Sequence, residues 1–482
     1  MFSKQNKYLS YLSNIALVTL LAFNSSCAAG NDINQIKPTN SKTDVSCWLT
    51  DPVSSTYLNR QKIILNFTTL QNSNPTILVD SLTKYQTMDG FGFSLTGGSA
   101  YLINKLTVSD RSKLINELFS NDSSAIGISY LRVSIGASDL NSSVFSYDDI
   151  DPLQMDTALQ HFSIKPDSID LIPVLKMAVA INPSIKILGS PWSAPAWMKT
   201  NKSAKGGSLK AEYFGVYARY FVRYIQAMKD QGITIDAVTI QNEPLNPDNN
   251  PSMYMSAEDQ AIFVKNYLGP EFTKASITTK IILYDHNCDN YNYPLTILND
   301  PKARKYSDGS AFHLYNGNIN ALTTVHNAYP DKNVYFTEQW VGGPGNFAED
   351  LKWHVKNLII GAPRNWSKNV IEWNLASDPN YYPHTSGGCS TCQGGLTINY
   401  EASRNVSYYI IAHASKFVPL GSIRIDSNIV TDLPNVAYLT PTGKKVLIVL
   451  NEGNTTKTFN IQFNKKTVTH NLTAGSVASY VW

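Results

Sequence analysis

Two acids are set in surroundings that suit them for chemistry. Glu243 lies in "TIQNEP" (239–244), between Asn242 and Pro244, at the end of the β-branched apolar run "IDAVTIQNE" (235–243). Glu338 lies in "FTEQW", near the end of "NVYFTEQW" (333–340). Taken singly, each reads as a solvated loop acid. Taken together at strand ends, they are what hydrolysis of a glycosidic bond with retention requires: one carboxylate attacks the anomeric carbon, and the other protonates the departing oxygen and then activates water. Such pairs stand about 5 Å apart. Carboxylates at strand ends also hold metals, but no compact His/Asp cluster accompanies these two. The chemistry calls for no metal and no cofactor: two acids, water and geometry suffice.

Acids so far apart in the chain need a scaffold that gathers strand ends. Eight short apolar runs alternate with helical patterns: 88–94, 128–136, 185–192, 235–243, 280–286, 309–315, 333–340 and 369–376. Their β-branched and aromatic content fits buried parallel strands. Between the third and fourth, Phe214, Tyr217, Phe221, Ile225 and Met228 recur at helical spacing, and Gly232 closes the segment. "EDLKWHVKNLIIGA" repeats this design before the eighth run. The pattern predicts a (β/α)₈ barrel in which strands four and seven present their acids across one mouth. An open doubly wound sheet is the alternative, but "GFGFSLTGG" lacks the nucleotide-binding glycine spacing.

The flanks are different in kind. Residues 44–84 and 418–482 carry short alternating strands with Gly, Asn and Pro turns, and they are expected to form one β-sandwich from both chain ends around a barrel over 85–417. Residues 1–29 read as an export signal: Lys4 and Lys7 precede "IALVTLLAF" and then "NSSCAAG", where Cys27 is a candidate lipid-anchored cysteine. Residues 30–43 form a polar tether. The expectation is an exported protein, whether secreted, periplasmic or held at the surface through Cys27. Lys+Arg of 40 against Asp+Glu of 37 gives no net charge that would drive binding to nucleic acid or to a membrane. "CSTC" (389–392) sits in a Gly- and Ser-rich loop with only His384 near it, which favours a local disulfide over a zinc site.

Several motifs in one order resemble glycoside hydrolase family 30: "SPWSAPAWMKTN" (190–201), "TIQNEP", "AFHLY" (311–315), "FTEQW" and "EWNLASDP" (372–379). The family includes glucosylceramidases and microbial β-1,6-glucanases, and the resemblance runs down to the closing "SYVW". It implies a barrel fused to a sandwich and retaining hydrolysis of a β-glucoside, glycan or glycolipid. By motif, Glu243 is similar to the acid/base and Glu338 to the nucleophile. Asn242 matches an asparagine that bonds the sugar 2-hydroxyl, and Arg132 in "YLRVSIG" an arginine beside the nucleophile. Asp139, Trp192 and Trp373 match residues lining the glucose subsite. His313 and Tyr315 alternate past Leu314, so both are expected to face the cleft, with Tyr315 bonded to Glu338. Asp285 and His286 end the fifth run and stay outside this set. Glu372, next to an inward Trp373, is expected to point outward as a structural residue.

An ionised Glu338 is expected to raise the pKa of Glu243, giving a bell-shaped, mildly acidic pH–rate profile. The substrate is expected to be glucosylceramide, β-1,6-glucan or both. The loop bearing "CSTC" departs from the lysosomal pattern. The alternatives are a non-catalytic glycan-binding barrel and a xylan-directed enzyme.

Overall fold

A computed structural model describes residues 42–482. The expected export signal, Cys27 and all but the last two residues of the tether lie outside them.

Eight parallel strands close into a barrel, each paired with its neighbours in chain order and the eighth joining back to the first. They run Gly90–Ser94, Tyr130–Ser134, Lys186–Ser190, Ala237–Thr239, Lys280–Asn287, Ser307–His313, Asn333–Glu338 and Ser367–Asn374. One inward layer holds Tyr130, Leu188, Ala237, Ile282, Ala311, Tyr335 and Ile371. This fills the cylinder as a packed core, as such barrels require. The closed sheet excludes the open doubly wound alternative. Gly92 marks the tightest closure: a Cβ there would stand 1.9 Å from the Tyr130 carbonyl oxygen.

At the N-terminal ends of the strands, charges seal the floor. Lys280 lies between Asp89 (3.7 Å) and Asp308 (3.9 Å), Lys368 pairs with Asp89 at 3.5 Å, and Lys186 with Asp236 at 2.7 Å. A cavity of about 410 Å³ opens there, lined by Asp89, Lys186, Asp236 and Lys280. It holds none of the expected site residues. Charge pairing at this end of a barrel serves stability, whereas chemistry belongs to the opposite rim.

The helix expected after the third strand spans Phe214–Asp230 and buries Phe214, Tyr217, Phe221, Ile225 and Met228, with Gly232 at φ +79° beyond it. The helical segment before the eighth strand begins as an α-helix over Phe347–His354 and widens to a π-helix over Val355–Gly361. Pro363, which has no amide hydrogen to donate, follows that widened turn.

Both chain ends meet in a β-sandwich. Thr76–Thr87 pairs antiparallel with Ile423–Ser427 and parallel with Lys457–Phe463, so one strand from the beginning of the chain joins two from its end. Ser46–Asp51 pairs with Val477–Val481 in the same way. Ile77, Ile425, Leu447, Val449, Phe459, Ile461 and Tyr480 fill its core.

His413, on the helix Val406–Ser415, ties barrel to sandwich. Its Nδ1 lies 2.9 Å from the Ser479 hydroxyl and its Nε2 2.8 Å from the Thr50 hydroxyl. The Ser479 hydroxyl hydrogen is directed at the His413 carbonyl (2.8 Å), so Nδ1 donates and Nε2 accepts. This neutral ring is saturated, and burial pushes its pKa down to about 3. The unfolded chain binds a proton here below about 6.5 and the folded one does not, so stability falls as pH drops through that window. Thermal melts are expected to register a loss of about 2 kcal/mol between pH 7 and 5 from this group, which His413→Gln abolishes.

Candidate active site

The C-terminal rim of the barrel gathers the expected residues around a cleft of about 500 Å³. Asp139, Trp192, Asn242, Glu243, Tyr315, Glu338 and Trp373 line it. One carboxylate oxygen of Glu243, one of Glu338 and a ring nitrogen of His313 all lie within 4.8 Å of one another. That separation suits direct nucleophilic attack and is too short for a water to sit between the acids.

Glu243 reaches the cleft differently from the expectation of a strand-end residue. The fourth strand stops at Thr239, and the next residues leave the ladder: the Asn242 amide bonds to Pro191 O (2.8 Å) and the Glu243 amide to Asp285 O (2.9 Å). Glu243 itself has φ +45°, a left-handed conformation that costs energy in a non-glycine residue and tends to occur where a side chain must be aimed. Asn246 Nδ2 donates to its Oε2 at 2.8 Å, and His313 Nδ1 stands 3.1 Å from Oε1.

Glu338 is held from two sides. Arg132 Nη1 binds Oε2, and the Tyr315 hydroxyl donates to Oε1 at 2.9 Å. Arg132 is wholly buried, which is tolerable because its other nitrogens are also engaged. Nη2 donates to Asn242 Oδ1 (2.6 Å) and Asp285 Oδ2 (2.9 Å), and Nε to the Ser190 hydroxyl (3.2 Å). With its oxygen committed to Arg132, Asn242 has its NH₂ group left for a ligand. Trp192 and Trp373 stack 5.3 Å apart, with the guanidinium 4.8 Å from the Trp192 ring centre. Trp192 Nε1 and Asp139 Oδ1 are buried without a protein partner. Two orphaned polar atoms in a cleft wall suit sugar hydroxyls.

Asp285 was not in the expected set, yet it is the hub. Its two oxygens accept from Arg132 Nη2, the Thr239 hydroxyl (2.7 Å), the Thr337 hydroxyl (2.7 Å) and His313 Nε2 (3.1 Å). Burial opposes its charge, but Arg132 and His313 outweigh that and hold its carboxyl far below the usual range. A carboxylate accepts only, so His313 Nε2 must carry a hydrogen. His286 also lines the cleft. Glu372 is structural as expected: it is buried behind the barrel with its Oε1 2.7 Å from His354 Nδ1.

The expected ordering of the two acids is reversed. Burial raises both, but at Glu243 the hydrogen bond and charge of His313 prevail and hold the pKa down to about 2. At Glu338 burial prevails over the pull of His313 and Arg132, and the pKa rises. His313 itself is opposed by burial but pushed up to about 9 by Glu338, Asp285 and Glu243. The imidazole of His313, expected in the cleft but not as a protonated bridge between the acids, is the cause. In the free site, the proton assigned to Glu243 rests on His313. The same trio is close enough to share a metal ion, but Glu338 already carries the Arg132 guanidinium and the Tyr315 hydroxyl on its two oxygens.

Comparison with known proteins places the chain in a family. The glycosyl hydrolase family 30 TIM-barrel domain matches residues 88–418, and the family's β-sandwich domain matches residues 421–480. Endo-1,6-beta-D-glucanase neg1 of Aspergillus fumigatus is 35% identical over 394 residues, covering 76% of this chain and 78% of that protein. The lysosomal acid glucosylceramidase of Mus musculus is 28% identical over 400 residues, covering 76% and 75%. Among solved structures, the endo-beta1,6-glucanase BT3312 superposes with TM-score 0.85 at 36% identity, covering 91% of this chain and 99% of that one. Barrel, sandwich and cleft thus carry one assignment: the chain belongs to glycoside hydrolase family 30 and is a glycosidase.

Proposed function

We propose that the protein is an exported retaining hydrolase of β-1,6-linked glucan, working by double displacement. Glu338 is the nucleophile and Glu243 the acid/base. The observation that carries this is the convergence of the two carboxylates within 4.8 Å, with Arg132 and Tyr315 gripping Glu338. Glu338 attacks the anomeric carbon while Glu243 delivers a proton to the leaving oxygen. Water, deprotonated by Glu243, then releases the sugar with its configuration retained. Asn242 presents its NH₂ to the 2-hydroxyl. Asp139 and Trp192 offer an acceptor and a donor to the remaining hydroxyls, and the Trp192–Trp373 stack gives the ring an apolar wall.

Glucan is favoured over glucosylceramide by the identities of 35% and 36% to endo-1,6-β-glucanases, against 28% to the lysosomal glucosylceramidase. Export is supported by Lys4 and Lys7 ahead of the short apolar run, and attachment through Cys27 by its place after that run. Among the described residues no helix is long and apolar enough to cross a membrane.

The test offers purified protein β-1,6-glucan, glucosylceramide and an aryl β-glucoside, with Glu338→Gln as the control. Release of β-configured sugar from the glucan, seen by NMR before mutarotation, is the expected result. An α-configured first product, or no release beyond that of the control on any substrate, overturns the assignment.

A further inference from the structure

The rim segment 384–394 closes one side of the cleft, and its disulfide does more than tie a loop. Cys389 and Cys392 are bonded to each other, and both line the same cleft as Glu243 and Glu338. Cys392 is buried in a cluster with Leu140, Trp192 and Trp373, against which Cys389 and Trp340 pack. The two cysteines face different neighbours. The Cys389 amide donates to Asp139 Oδ2 at 3.2 Å, while Cys392 pairs in a short antiparallel ladder with Gly342, four residues beyond Glu338. The disulfide therefore fixes the span between a contact on the Asp139 carboxylate and a contact on the segment that leaves Glu338.

Further bonds make the same segment a staple across the rim. The Thr385 amide donates to Asp139 O at 2.8 Å, and the Gly343 amide to Thr391 O at 2.8 Å. Asn250, on the loop after Glu243, gives its Nδ2 to Ser386 O at 2.9 Å. Fit is close at Asp139: a Cβ on Gly388 would stand 2.5 Å from the Asp139 carbonyl oxygen and 3.1 Å from its Cβ. With Oδ2 taken by Cys389, Asp139 keeps Oδ1 buried and unpartnered, as is Nε1 of Trp192, which lines the same cleft.

We propose that the Cys389–Cys392 disulfide is a positioning element of the sugar-binding wall, which aims Asp139 Oδ1 at a sugar hydroxyl, so that opening the disulfide weakens sugar binding through Asp139. This rests on reading the cleft as a β-glucoside site. The opening step is thiol–disulfide exchange: a dithiol gives up two electrons and two protons, leaves as its cyclic disulfide, and Cys389 and Cys392 become thiols. The released turn no longer holds the Cys389 amide on Oδ2, and the carboxylate rotates away from its aim.

The experiment measures binding of gentiobiose by tryptophan fluorescence and turnover of an aryl β-glucoside. The full chain is compared in its oxidised state, after dithiothreitol, and after reoxidation, with the thiols counted by mass. Opening the pair is expected to raise the gentiobiose Kd and the KM about tenfold, the scale of one hydrogen bond to a charged group. kcat is expected to change less than about threefold, and reoxidation to reverse the shift. In Asp139→Asn, already weak, reduction is expected to add nothing. A Kd unchanged on confirmed reduction overturns the proposal, as does an equal further loss in Asp139→Asn. Cys389→Ala/Cys392→Ala provides the same reading without reductant, and reversible reduction covers the case in which that variant fails to fold. A protein that binds gentiobiose but hydrolyses nothing sinks the catalytic reading and still reports on the disulfide.

Discussion

Glu243→Gln lowers kcat on β-1,6-glucan by about 10³-fold but slows the first step on a dinitrophenyl β-glucoside far less. The sugar alkoxide is a poor leaving group and needs the proton that Glu243 supplies. Dinitrophenolate leaves unaided, so a glutamine there costs the first step little. The second step still needs a base, because water must lose a proton as it attacks. The glycosyl-enzyme therefore accumulates, seen as a burst of dinitrophenolate followed by slow turnover. Azide needs no deprotonation and restores turnover with β-glucosyl azide as the product. Glu338→Gln behaves differently: it removes the nucleophile itself and lowers turnover of both substrates by about 10⁴-fold, with no burst. An equal loss on both substrates in Glu243→Gln, without burst or azide product, would reassign that residue.

The barrel was legible because buried parallel strands announce themselves as short apolar runs, and the runs are separated by helices with clear periodicity. Glu338, His313, Tyr315 and the outward Glu372 followed from strand ends and period-two alternation. Asp285 did not, because its strand breaks the alternation. Ile282 faces the barrel interior and Leu283 packs outside, so the period would send Tyr284 inward and Asp285 outward. The register slips between Tyr284 and His286, where Tyr284 and Asp285 have φ of +73° and +74°. Tyr284 is thereby turned against Tyr293 and Asp285 onto Arg132. Nothing in "LYDHN" signals such a bulge, since neither residue is a glycine. The only clue is an acid inside an apolar run. The proton on His313 was hidden for the same reason: its state is set by Asp285, and without that hub the imidazole looks like a neutral ligand of the substrate.

His313→Gln is expected to narrow the pH–rate profile from both sides and to lower its maximum by about 10²-fold. The productive state has Glu338 ionised and one proton on the Glu243–His313 pair. On the acid side, the parent loses activity as Glu338 is protonated, at a pH above the ordinary glutamate value because burial has raised it. On the alkaline side it loses activity as the pair gives up its proton, near the value of about 9 at which His313 titrates. The bell is thus expected to be centred nearer neutrality than the mild acid that the two carboxylates alone suggest. During glycosyl transfer Glu338 forms a bond and loses its charge, which is the strongest force holding the proton on His313. The imidazole's grip weakens at the moment Glu243 must act, and the 3.1 Å contact is the path. Glutamine keeps a hydrogen bond to Asp285 or to Glu243 but carries no proton. Glu338 loses a positive neighbour and its limb moves up, while the alkaline limb falls to the value of Glu243 alone. Each limb is expected to move by about one unit or more in kcat/KM measured from pH 3 to 10. A variant profile that superposes on the parent, merely scaled down, would show that His313 positions Glu243 and holds no proton for it.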